Sequence, residues 1–299
     1  MKAMSPFDVD VDVVGRPYVG TEFGVTSGRL RAYAAATNDD TPAAVAGDLA
    51  PPVFSFVPLR PAYRAMLTDT TPLYKQNRGM HGEQDIFFFS PIEAGMVLTA
   101  HGSVIGIRKR RTGTAVVLNA QTRDQEGVLV NEHFITIYFP GAEVDEHAGV
   151  DAPDHRLPDE VTSRKPDLRV VQETDFDQPV RYSAASGDTG AYHLDEQAAR
   201  DIGLPGIIMH GMCTLAFAGH AILDAVAGGD VRRLRRLAVR FSHPVIPGEL
   251  LETRLWRLDG DRPAAFGLEM HNPSGVAVGF EMHNPLGVAV LTHGRAEIR

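Results

Sequence analysis

The chain has a single cysteine, Cys213, a single tryptophan, and no apolar run approaching the roughly 18 residues of a membrane-spanning helix. One cysteine excludes an internal disulfide and a thiolate zinc cluster, and it fits a reducing compartment. Excess positive charge is lacking too. Lys and Arg number 29 against 38 Asp and Glu, a formal net charge of −9, which argues against broad binding to nucleic acid or anionic lipid. The amino-terminal stretch "MKAMSPFDVDVDVVG" breaks its valines with acids. The expectation is a cytoplasmic protein with no nucleic-acid and no membrane partner.

What is present belongs to a soluble globular protein: 299 residues, 43% hydrophobic and 22% charged. That length buries a substantial core, as one large domain or two ordinary ones. Residues 141–167 are rich in acids and proline without sustained periodicity and read as a linker. They separate residues 1–140 from residues 168–299, two segments of usual domain size. The same features recur in the same order on both sides. "AYAAATNDD" aligns with "RYSAASGDT", pairing Tyr33 with Tyr182 and Asp39 with Asp188. "FSPIEAGMVL" aligns with "SHPVIPGELL", pairing Gly95 with Gly248. The chain reads as internally duplicated.

Partly alternating runs such as "MVLTAHGSVIGI", "TAVVLNAQTR" and "ELLETRLWRL", separated by turn residues, predict antiparallel meanders. "MCTLAFAGHAILDAVAGG" predicts a helix apolar on nearly all sides, hence buried, ending at paired glycines. A buried helix followed by a sheet able to wrap it gives an α+β arrangement. Near the carboxyl end "GLEMHNPSGVAV" (267–278) is followed by "GFEMHNPLGVAV" (279–290), identical at ten of twelve positions. This tandem copy predicts an extra hairpin or protruding loop. Its paired His271 and His283 lack the carboxylate or cysteine spacing of a metal site.

The chemistry concentrates in "SGDTGAYH". A spacing of five puts Asp188 and His193 on neither one helix face nor one strand face, so a loop must carry both. After it, "HLDEQAARDIGLPG" predicts a short helix with Asp195 as N-cap. A loop carboxylate and a neutral imidazole that converge on one water suit general base chemistry. Gly211, before the buried helix, offers a backbone N–H at a positive helix end, where a developing thioester enolate oxygen is stabilised. Taken singly, each feature has an ordinary alternative: Asp188 capping a turn, His193 packing on the next helix, Gly211 easing a tight turn, and His210 serving structure.

The run Tyr182, Ala185, Ser186, Gly187, Asp188 and His193, then His210-Gly211, then "RFSHPVIPGELL" resembles the MaoC-like (hydratase 2) family of R-specific enoyl-CoA hydratases and 3-hydroxyacyl-thioester dehydratases. The resemblance implies a double hot-dog fold, in which each antiparallel sheet wraps a long central helix and one chain forms a pseudo-dimer. It implies that Asp188 and His193 activate water and that the Gly211 N–H polarises the thioester carbonyl. Gly190, Tyr192, His210 and Arg240 are the expected substrate-contacting residues. Acyl-CoA or an acyl carrier protein thioester is the expected partner, no cofactor is expected, and monomer and homodimer both fit. The usual family motif has asparagine and proline where this chain has Gly190 and Ala191. In the first half Ala44 stands five residues after Asp39, and "FSFVPLRPAY" replaces the His-Gly region, so that half is expected to be a catalytically silent repeat. The basic runs at Arg108–Arg111 and Arg232–Arg236 are candidates to meet phosphate, set against ordinary solvated charge. A thioesterase, a non-catalytic thioester binder and a subunit active only with a partner are the rival readings.

Overall fold

A computed structural model describes residues 8–71, 79–258, 264–272 and 288–299. In chain order the strands begin with β1 (Pro17–Val19), β2 (Phe23–Gly24), β3 (Met80–Phe88), β4 (Val97–Arg110), β5 (Gly113–Arg123) and β6 (Leu129–Pro140). They continue with β7 (Ala148–Gly149), β8 (Leu168–Glu173), β9 (Leu234–Phe241), β10 (Leu250–Leu258), β11 (Ala264–Asn272) and β12 (Val288–Ile298). The helices are α1 (Ser27–Ala36), α2 (Pro42–Ala46), α3 (Arg60–Thr70), α4 (Asp159–Thr162), α5 (Gln178–Ser186), α6 (Glu196–Asp201) and α7 (Gly211–Ile222).

The chain divides into two compact units. The first gathers residues up to Gly24, Pro58–Phe89 and Val97–Asp154. Its strands lie in the order β1-β4-β5-β6-β3, every pairing antiparallel, with β2 and β7 also against β4. Helix α3 covers this sheet through Ala62, Met66 and Thr70, a stripe at spacing four. Met66 packs so closely on Gly102 of β4 that a Cβ there would stand 2.9 Å from its Cε. The segment read as a linker begins inside this unit. Arg108 donates to Asp151 Oδ1 and to the carbonyls of Ala148 and Gly149, pinning β7 to the sheet.

The second unit gathers Val25–Val57, Ser90–Met96 and the chain from His155 onward. Its strand order is β8-β10-β11-β12-β9, again antiparallel throughout. Matched strand for strand, this is the order of the first unit, which is the duplication read from the sequence. The aligned glycines Gly95 and Gly248 carry it into the backbone with φ of 97° and 88°, a left-handed conformation that favours glycine.

Helix α7 is the buried apolar helix that the composition requires. Every residue from Met212 to Ile222 is buried. Each large apolar side chain so placed contributes about 1.5–3 kcal/mol. A π-turn over Leu223–Ala227 extends it, and Gly228 at φ 62° ends it. Leu237 of β9 meets the helix at Gly219, and Phe241 meets it at Gly211, so odd-numbered positions of β9 face α7. Most of the second tandem copy, with His283 and the expected extra hairpin, lies outside the described residues; His271 sits on β11. Among the described residues no helix is long and apolar enough to cross a membrane.

Candidate active site

Helix α5 ends where Gly187 turns left-handed at φ 74°. The turn delivers Asp188 half-buried, its backbone N–H donating to Ser186 Oγ at 3.1 Å. The carboxylate folds back on its own loop, Oδ1 accepting from the Gly190 N–H at 3.4 Å. A 3-10 turn, Ala191–His193, follows, and the His193 N–H closes it on the Gly190 carbonyl at 3.0 Å. Asp195 then caps α6 by accepting from the Ala198 N–H at 2.7 Å, the N-cap expected from its position. The five-residue spacing is therefore spent on one reversal and one tight turn.

His193 is 6% exposed. Its Nδ1 lies 2.8 Å from the Ile208 carbonyl. A carbonyl only accepts, so Nδ1 carries the proton and Nε2 keeps its lone pair. The segment supplying that carbonyl is itself held, because the Met209 N–H donates to the Val245 carbonyl at 2.8 Å. Burial lowers the His193 pKa below its ordinary value, opposed by the Ile208 hydrogen bond and by the Asp188 charge. The ring stays neutral at pH 7, the state a base requires.

Gly190 has an ordinary φ of −55° and ψ of 120°, so its backbone does not require glycine. Its surroundings are close. A Cβ there would stand 3.1 Å from His193 Cδ2, 3.7 Å from Asp188 Oδ1 and 3.7 Å from Tyr192 Cε1. One point thus borders the carboxylate, the imidazole and the tyrosine ring. The Tyr192 ring lies against His193 at 4.2 Å between centroids.

His210 joins the same cluster. It is 1% exposed, its ring stacks on His193 at 3.8 Å, and its Nε2 donates to the Asp188 carbonyl at 3.0 Å. As N-cap of α7 it is followed directly by Gly211. The N–H groups of the first helical turn have no intrahelical acceptor, and the helix dipole adds positive potential there. A Cβ on Gly211 would press on the Phe241 ring at 3.3 Å.

Six of the seven residues singled out from the sequence, Asp188, Gly190, Tyr192, His193, His210 and Gly211, come together at this loop and helix start. Arg240 does not join them. It is exposed at an even-numbered position of β9, on the face opposite Phe241. The basic runs are largely engaged within the chain: Arg108 as above, Arg232 with Asp230, Arg233 with the Arg299 carbonyl, and Arg236, 8% exposed, with Glu297 of β12. Among the described residues no group of three or more His, Cys, Asp or Glu side chains is arranged to hold a metal ion.

A contact the sequence did not announce links α1 to α5. Tyr33 and Tyr182, aligned by the duplication, are both buried with hydroxyls 3.4 Å apart. Their shared motif position was the available signal.

The MaoC like domain model matches residues 158–266, and the model of the FAS1-like dehydratase domain region matches residues 12–133. The 3-hydroxyacyl-thioester dehydratase Y of Mycobacterium tuberculosis is 34% identical over 206 residues, 66% of this chain and 67% of that protein. The chain belongs to the MaoC-like dehydratase family. Another relative, the peroxisomal multifunctional enzyme type 2 of Drosophila melanogaster, is 33% identical over 183 residues. That match takes in 60% of this chain but only 30% of the much longer Drosophila protein. Among solved structures, a MaoC-like dehydratase from Phytophthora capsici superposes with a TM-score of 0.79 at 22% identity over 97% of each chain. A double hot-dog protein from Mycobacterium tuberculosis superposes with a TM-score of 0.59 at 14% identity, over 98% of this chain and 97% of that one. The fold of this MaoC-like chain is thus the α+β double hot-dog.

Proposed function

We propose that this chain catalyses the reversible hydration of trans-2-enoyl thioesters to 3R-hydroxyacyl thioesters, with Asp188 and His193 holding the water and the Gly211 N–H receiving the enolate oxygen. The observation that carries the reading is that a carboxylate and a neutral imidazole, its Nε2 free of the proton, border one point of the same loop, with the residue before α7 stacked on that imidazole. In the hydration direction the water oxygen bonds to C3 as one of its O–H bonds breaks toward the base. The C2–C3 π pair becomes the enolate, and C2 then takes a proton. H and OH are added across the double bond with no change of oxidation state elsewhere. Dehydration is the same path reversed. The hydro-lyase activities named for the relatives support this class, and their thioester substrates suggest coenzyme A or an acyl carrier as the carrier. The domain limits read from the sequence, a silent first repeat over 1–140, a linker over 141–167 and a catalytic repeat over 168–299, remain part of the proposal, as does a cytoplasmic location.

The test is to mix the purified chain with crotonyl-CoA and with a longer trans-2-enoyl-CoA and follow loss of the conjugated absorbance. Turnover with a 3R-hydroxy product is expected. Binding of either thioester without turnover overturns the hydratase reading in favour of a non-catalytic binder. Release of free CoA without loss of the double bond overturns it in favour of a thioesterase.

A further inference from the structure

We propose that His210 is a positioning residue that sets the Asp188–His193 pair, a role that rests on the hydratase reading for its consequence but not for its geometry. One residue touches each component of the site. Its Nε2–H donates to the Asp188 carbonyl at 3.0 Å and fixes the turn that aims the carboxylate. Its ring lies on His193, centroids 3.8 Å apart and planes 24° apart, and closes one face of that imidazole to water. Its own carbonyl accepts from the Cys213 and Thr214 N–H groups at 2.9 and 3.0 Å, so the side chain is rigidly tied to the helix turn that presents Gly211. The His210 ring also lies against Tyr182, centroids 4.9 Å apart, and Tyr182 is backed by Tyr33. The silent repeat therefore supports the working site through one tyrosine.

The side-chain type follows from these two tasks. Phenylalanine stacks but cannot donate, and glutamine donates but cannot cover a ring. A ring that bears a donor does both, as the imidazole N–H does here. Covering His193 also removes it from solvent, which favours its neutral form.

The two contacts are separable by substitution. His210→Phe keeps the stack and loses the donor. Its expected effect is a fall in kcat of about tenfold, the loss of one hydrogen bond of about 1.4 kcal/mol, with KM within about twofold of wild type and the His193 titration unmoved. His210→Gln keeps a donor and uncovers His193. Its titration, read from the ring carbon signals of histidine-labelled protein, is expected to move upward toward the ordinary value, and the acid limb of kcat/KM with it. His210→Ala combines both changes. If His210→Ala fails to fold, the Phe and Gln variants, each retaining one contact, carry the test. The proposal is overturned if folded Phe and Gln variants keep wild-type kcat and an unshifted His193 titration, or if they lose only thermal stability. The titration does not need turnover. Absence of activity in the wild-type chain would overturn the hydratase reading, while an upward shift in His210→Gln would still uphold the positioning role.

Discussion

Asp39 and Asp188 each directly follow a left-handed residue shortly past a helix, Asn38 at φ 52° in one loop and Gly187 at φ 74° in the other. Each aspartate accepts, through Oδ1, the N–H two residues on, Thr41 at 3.0 Å and Gly190 at 3.4 Å. The backbone frame of the duplicated motif has survived in both copies. The surroundings differ. Asp39 is 6% exposed, takes a second hydrogen bond from Thr41 Oγ1 at 2.7 Å, and has Ala44 where the other loop has His193. Asp39 and Ala44 both line a cavity of about 240 Å³ walled by Pro42, Pro51, Leu223 and Val231. The imidazole nearest to Asp39, His220 Nε2, comes from α7 and stands 4.0 Å from Oδ1, closer to Asp40 and Asp224 at 3.4 and 3.2 Å. The same turn thus holds its carboxylate in two different settings. The Asp188 loop adds a buried imidazole of fixed tautomer and the start of a helix.

Exchanging the chemistry of the Asp188 loop is expected to break this comparison most sharply. Asp188→Asn and His193→Ala should each lower kcat for enoyl-thioester hydration by about 10²–10⁴-fold, while Asp39→Asn should leave it within about twofold. Comparable losses from Asp39→Asn, in initial-rate measurements, would show that the first loop is not silent.

The pH profile gives the next largest effect. The proposed mechanism needs neutral His193, and burial lowers its pKa below the ordinary 6.5. The acid limb of kcat/KM should therefore fall below pH 6.5, with about tenfold loss per unit beneath it. The sign for stability follows the same shift. The unfolded chain binds the proton more readily, so the contribution of His193 is full above its unfolded pKa and is lost as pH falls toward the folded one. An acid limb at or above 6.5 would mean that His193 is not shielded.

Gly190→Asn sharpens the comparison on a smaller scale, because it places on the Asp188 loop the asparagine that the family motif carries. A Cβ 3.1 Å from His193 Cδ2 is tighter than ordinary contact, so the ring must shift by a few tenths of an ångström. Activity is expected to fall severalfold, and a rise would indicate that the loop gains order from the added side chain. The smallest effect belongs to Asp39→Ala. It removes two hydrogen bonds to Thr41 and should cost about 1 kcal/mol in urea unfolding with kcat unchanged.

Much of the fold was legible because its signals are local. The apolar run of α7, the Asp195 cap, the alternation in β4, β5 and β10, and the aligned glycines Gly95 and Gly248 each lie within a few residues of their cause. β3 and β9 were not legible. β3 carries Gln84 and Asp85 as buried residues, which spoils its alternation, and β9 hides in a basic run because Arg236 is buried against Glu297 of the neighbouring strand. Pairing across a sheet, not the strand's own sequence, makes those positions tolerable.

The sequence by itself determined that the chain is duplicated, that a loop carries Asp188 and His193, and that Ala44 leaves the first copy without its imidazole. Only the tertiary structure decided the tautomer of His193, through the Ile208 carbonyl fifteen residues away, and the stack of His210 upon it. It also decided which arginines are engaged inside the chain and that Arg240 faces away from Phe241. Spacing and periodicity fix what near neighbours along the chain can do. Burial and hydrogen bonding across long sequence separations depend on which elements meet.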